Sequence, residues 1–159
     1  MSILKIHHAT LLVDDETKAS WFYGGILGLK AKPRPKFKFP GLFYFCGDGQ
    51  ELHLIISATK IKQDEAIFIR IDNSADVTRN FIHRHVALVV SDFEETRSRL
   101  RENGINVLFD AEQVGPESDL FTRNLIEGWE KMYGAPPLFC RDPFGNILEI
   151  IPFRPERRD

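Results

Sequence analysis

Residues 7–15 read HHATLLVDD and residues 84–92 read RHVALVVSD. Each is a histidine, an apolar β-branched run and an acidic stop, which is the pattern of a strand. A helical pattern follows both times. After Asp15, the residues Ala19, Phe22, Tyr23, Ile26 and Leu27 recur at three- and four-residue steps; after Asp92, Phe93, Thr96 and Leu100 lead to Gly104. Asp15, and either Asp92 or Ser91, are natural N-caps, and the glycines of GILGL and ENGI suit the left-handed residue that closes a helix. A second matched pair comes later: FYFCGDGQELH (43–53) and FCRDPFGNILE (139–149) both read strand, tight turn, strand. The order strand–helix–strands therefore runs twice. This predicts an α+β chain of two modules, 4–58 and 81–153, joined by a polar linker (59–80) in which IFIRI is a candidate extra strand.

The spacing locates an insertion. His8 and His85 are 77 residues apart, whereas His53 and Glu149 are 96 apart, so the second half carries about 19 more residues. They fall in 111–136, where a helix is expected over Leu120–Met132. Phe121, Trp129 and Tyr133 among charges make this segment a lid or a dimer-contact arm, with Trp129 a candidate substrate contact.

The repeat also singles out the residues able to do chemistry. His8 and His85 stand at the same place at the start of the first strand of each half, and His53 and Glu149 at the same place in the last. Polar groups repeated at one inward position are costly to bury without a partner. If the halves pair about a pseudo-twofold axis, the four positions converge, and neutral imidazoles with a carboxylate suit a divalent first-row metal. Lys30, Lys32, Arg34, Lys36 and Lys38 alternate without an acid among them, which makes Arg34 a candidate contact for an anionic substrate; Arg141 is another, facing the site or pairing with Asp142. Phe43, Phe45, Phe139 and Phe153 read as core. Cys46 and Cys140 stand at matched positions beside turns and read as packing residues. Lys+Arg total 21 against 23 Asp+Glu, a balance that gives no reason to expect nucleic acid or an anionic membrane as partner. With two cysteines and no CxxC, neither a disulfide framework nor a Cys-rich zinc site is expected. The opening MSILKIHH lacks the basic flank and apolar run of a secretory signal, so a soluble, cytoplasmic protein is expected.

At HHATLLVDDETKASWFYGGILGL, GDGQELHLI, RHVALVVSDFEETRSRLRENGI and RDPFGNILEI the chain resembles the vicinal oxygen chelate superfamily. That group includes glyoxalase I, fosfomycin-resistance thiol transferases, bleomycin-resistance proteins and extradiol dioxygenases. The resemblance covers about residues 3–153 in the family's order. It implies paired βαβββ modules whose sheets curl around one divalent metal ion (Zn, Ni, Mn or Fe(II)), and a homodimer. It places His8, His85 and Glu149 on the recurring ligand positions. Where glyoxalase I has a glutamate, acting as ligand and base, this chain has His53; Glu51 lies two residues earlier on the same strand face. His53 is then a fourth ligand, an acid–base neighbour or a lining residue, and Glu149 and Glu51 are the candidates for proton transfer. The reaction implied is that of a glyoxalase-like lyase or isomerase on a small vicinal-oxygen substrate. The alternatives are Fe(II)-dependent extradiol ring cleavage or non-catalytic ligand sequestration.

Overall fold

The computed structural model describes residues 4–57 and 85–154, so the linker with IFIRI, and His83, lie outside the described residues. Two compact units account for the rest: 4–57 with the turn 143–146, and 85–142 with 147–154.

In the first unit β1 (His8–Val13) leads into a helix, α1 (Glu16–Ala19), which continues as a wider-wound stretch over Ser20–Ile26. Then come β2 (Lys30–Lys32), β3 (Gly41–Phe45) and β4 (Glu51–Ile56), in the sheet order β1-β4-β3-β2. β1 runs parallel to β4 and the other pairs are antiparallel. In the second unit β5 (Val86–Val90), α2 (Phe93–Glu102), β6 (Val107–Phe109), β7 (Leu138–Arg141) and β8 (Ile147–Pro152) give the same topology, order β5-β8-β7-β6, with α3 (Leu120–Tyr133) inserted between β6 and β7. Each unit is a βαβββ module, as the repeat predicts.

The pairing registers match residue by residue. Thr10 faces His53 in the first sheet and Ala87 faces Glu149 in the second; Phe43 faces His53, and Phe139 faces Glu149. Lys32 faces Phe43 just as Phe109 faces Phe139. The offset between modules is 77 residues through β2/β6 and 96 from β3/β7 onward. The insertion is therefore the segment carrying α3, inside the expected bounds. The same register corrects the cysteine equivalence: Cys140 corresponds to Tyr44, and Cys46 to Asp142.

Local signals explain the element ends. Asp15 accepts from Lys18 N at 2.8 Å, Asp92 from Glu95 N at 2.9 Å and Asp119 from Thr122 N at 2.7 Å, each satisfying an orphan donor of a first helical turn. Gly28, Gly104 and Gly134 follow the helical segments with φ of 70°, 66° and 81°. Around Gly24–Gly25 the first helix widens, with Leu27 N donating to Phe22 O five residues back.

Strand alternation gives each sheet a packed face. Tyr44, Leu52 and Leu54 are buried on one face of the first sheet, and the helical segment contributes Ala19, Phe22, Tyr23 and Ile26 to the same core. Tyr23 and Tyr44 approach with ring centroids 6.3 Å apart. In the second unit Leu138, Cys140, Leu148 and Ile150 are buried, together with Leu100 of α2, which packs against β8. Of the four phenylalanines expected in the core, Phe43 and Phe139 are there. Phe45 and Phe153 are exposed: Phe45 shares the face of Phe43 but stands at the end of β3, and Phe153 follows the last strand.

Leu54→Ala empties a fully buried site and should cost about 2–5 kcal/mol, whereas Asp92→Ala, which removes a cap, should cost about 1 kcal/mol. Urea unfolding followed by circular dichroism measures both, and equal losses would contradict this division between packing and capping.

Candidate functional site

The opposite sheet faces carry the polar side chains. In the first unit Glu51 and His53 project from β4 beside His8 of β1, Lys32 of β2 and Phe43 of β3. His53 Nε2 lies 2.8 Å from Glu51 Oε2, and Lys32 Nζ donates to Glu51 Oε1. The His53 ring stacks on Phe43 (centroids 3.6 Å apart, 4° between planes) and on His8 (4.2 Å, 13°). His8 Nδ1 in turn meets His7 Nδ1 at 3.0 Å, so His7, which the repeat leaves out, touches the group. The hydrogen bond to His53 and the Lys32 ammonium hold the Glu51 carboxyl down at about 2.

In the second unit His85 Nε2 lies 2.9 Å from Glu149 Oε2, and the His85 ring meets Phe139 edge-on at 5.5 Å. Glu149 is 4% exposed; burial raises its pKa, and the charge and hydrogen bond of His85 oppose the rise. Thus His8, His53 and Glu51 come together in one unit, and His85 and Glu149 in the other. Among the described residues no group of three or more His, Cys, Asp or Glu side chains is arranged to hold a metal ion.

The three substrate-contact candidates fall in different settings. Arg34 is half-buried in the loop after β2, its guanidinium 4.9 Å from the rings of Phe37 and Phe39 and 5.6 Å from that of Phe43, with Nη2 donating to the Phe39 carbonyl. It is a loop-ordering residue as placed. Gly41, at the end of this loop, must be glycine, since an added Cβ would stand 2.5 Å from the Leu54 carbonyl oxygen. Arg141 is half-buried and, two residues along β7 from Phe139, shares the face of Glu149. Trp129 is 8% exposed and packs on Phe109 (5.2 Å) and Phe139 (5.6 Å), with Leu125 and Tyr133 beside it, so its position is that of a core side chain which docks α3 onto the second sheet.

The Glyoxalase/Bleomycin resistance protein/Dioxygenase superfamily model matches residues 5–150, and the chain belongs to that superfamily. Among solved structures it is similar to a glyoxalase/dioxygenase from Nostoc punctiforme (22% identity, 98% of this chain and 99% of that one, TM-score 0.61). It is also similar to a lactoylglutathione lyase from Agrobacterium tumefaciens (20%, 95% of each chain, 0.55). A third is a genomically encoded fosfomycin resistance protein, FosX, from Listeria monocytogenes (14%, 99% and 97%, 0.54). At these identities the likeness is one of fold. None of the curated proteins matches the chain. No helix among the described residues is long and apolar enough to cross a membrane.

The depressed Glu51 pKa has a pH consequence of definite sign. Above its ordinary value of 4.5 the carboxylate is ionised folded and unfolded, and its contacts stabilise the fold; that contribution is lost as pH falls from about 4.5 toward about 2. Glu51→Gln and Lys32→Met should each show a shallower drop in Tm across this window than the parent protein, read by thermal melts at stepped pH. Burial pushes the Cys140 thiol up to about 12. It should resist a thiol reagent in the native protein and react only on unfolding, while half-buried Cys46, whose thiol burial also pushes up, should react slowly in the native protein.

Proposed function

We propose that the chain is a metal-dependent glyoxalase-like lyase or isomerase acting on a small substrate with two neighbouring oxygens. The observation behind this reading is the His85–Glu149 pair. Two donors about 2.1 Å from one ion, at ordinary coordination angles, stand about 3 Å apart, and the 2.9 Å between His85 Nε2 and Glu149 Oε2 fits that spacing. The donor set fits a divalent metal in its chemistry as well: imidazoles and a carboxylate suit Zn, Ni, Mn and Fe(II) alike. His8, His53, His85 and Glu149 would hold the ion, which when bound supplies Lewis-acid stabilisation of negative charge on the substrate oxygens.

The remaining work falls to the side chains. Both Glu51 oxygens are engaged, one by Lys32 and one by His53, so Glu51 is poorly placed to take a proton. Glu149 is buried, with only Oε2 engaged by His85, and of the two carboxylates it is the proton carrier in this reading. Arg141, on the Glu149 face, is the cation positioned to favour an anionic substrate.

Metal-stripped protein reconstituted separately with Ni, Zn, Mn and Fe(II) should take up about one ion per chain, and His85→Ala should lose it. Anaerobic turnover of a hemithioacetal or related α-hydroxycarbonyl is expected, with Glu149→Gln lowering kcat by about 10²–10⁴-fold. Strictly ferrous, oxygen-consuming cleavage of a catechol would replace this reading with the dioxygenase one. Tight ligand binding with neither metal nor turnover would leave a sequestering protein.

A further inference from the structure

The two modules solve the same position differently. His53 and Glu149 are register equivalents, but the two charged residues beside His53 have no charged counterparts. Glu51 corresponds to Ile147 and Lys32 to Phe109. The Lys32–Glu51 ion pair is therefore no requirement of the βαβββ fold; it occurs only in the module whose last strand offers an imidazole instead of a carboxylate. An imidazole has two nitrogens and must be told which one carries the proton. A carboxylate needs no such instruction.

The contacts around His53 supply it. Lys32 Nζ, three donors and no acceptor, occupies Glu51 Oε1. A carboxylate so engaged is an acceptor only, so at the 2.8 Å contact the proton sits on His53 Nε2, which donates to Glu51 Oε2. The ring plane is fixed too. β3 and β1 flank β4, and the Phe43 and His8 rings clasp the imidazole from either side. Little of the group is open to water, with side-chain exposures of 14% for His53 and 9% for Glu51.

We propose that Lys32 and Glu51 are positioning residues that lock His53 in its Nε2–H tautomer and leave Nδ1 as the nitrogen whose lone pair serves the reaction. The catalytic consequence rests on the proposed function, in which His53 belongs to the reaction site; the tautomer itself is a property of the metal-free chain. Carboxylate partners of this kind also raise the basicity of the imidazole they hold, and their removal typically lowers metal affinity by about 10–100-fold.

The test is long-range ¹H–¹⁵N NMR of the full chain labelled in histidine, metal-free and near neutral pH. The His53 signals, assigned with His53→Gln, should show a proton on Nε2 and a bare Nδ1. Glu51→Ala should average the two tautomers, and Lys32→Met should shift the balance part of the way. Glu51→Gln, whose amide oxygen still accepts, should restore Nε2–H. A merely structural Glu51 would leave the tautomer unmoved in Glu51→Ala, and that result, or a parent protein protonated on Nδ1, overturns the proposal. Should Glu51→Ala not fold, Lys32→Met carries the same test. Nickel affinity measured on the same variants separates the two readings. The expected tautomers with an affinity loss of about 10–100-fold in Glu51→Ala support both. The expected tautomers in a parent chain that binds no metal keep the positioning role of Lys32 and Glu51 and sink the metal reading.

Discussion

Leu52 and Leu54 point to one side of β4, and Glu51 and His53 to the other. The apolar side is shut into the core with Phe22, Tyr23 and Tyr44, and this burial fixes the register of β4 against β1 and β3. A slip of one residue would drive a carboxylate and an imidazole into that core and set two leucines in water. Leu148 and Ile150 hold Glu149 on its face of β8 in the same way. The polar constellations are thus positioned by apolar contacts on the reverse of the same strands. That is why residues as far apart in sequence as His8, Lys32, Phe43, Glu51 and His53 can join one chain of hydrogen bonds and ring contacts.

Duplication supplies the scaffold and divergence the chemistry. Phe43 and Phe139 keep the same register position and the same office, a ring beside the module's histidine: face-on to His53, edge-on to His85. What covers each phenylalanine differs. In the first module it is the short loop after β2, folded about Arg34 and its phenylalanines. In the second it is α3, anchored by Trp129 and closed by Gly134, whose missing Cβ makes room for the Arg154 guanidinium. The extra length of the second module is thereby spent on the donor side of its sheet.

Much of this was legible in the sequence because it depends on local patterns. Caps at Asp15 and Asp92, glycine stops and the three-and-four spacing of the first helical segment and of α2 act over a few residues, and equivalent residues in a repeat inherit equivalent places. Features requiring several distant side chains were not legible. The cluster of Arg97 and Arg101 about buried Asp110 joins α2 to the end of β6, with Arg101 Nη2 2.6 Å from Asp110; no motif announces it. Trp129 read as a substrate contact because amphipathic spacing does not say what a helix packs on. Glu51 and His53 looked separate, being about 7 Å apart along the strand. Their side chains are long enough to close that gap, and only the structure shows that they do.

The exchange of a glutamate for His53 changes the charge as well as the donor. Under the proposed ligand set, three neutral imidazoles and one carboxylate leave a divalent ion with a net positive charge, whereas two carboxylates would leave it neutral. A net cationic centre favours a substrate that brings, or develops, negative charge on its oxygens. Glu51 could have cancelled this advantage from two residues away. Lys32 prevents it by pairing with that carboxylate directly, so the first module keeps an orienting acceptor for His53 without lending its charge to the centre. The lysine thus has a reason to be there that neither the strand nor the core provides.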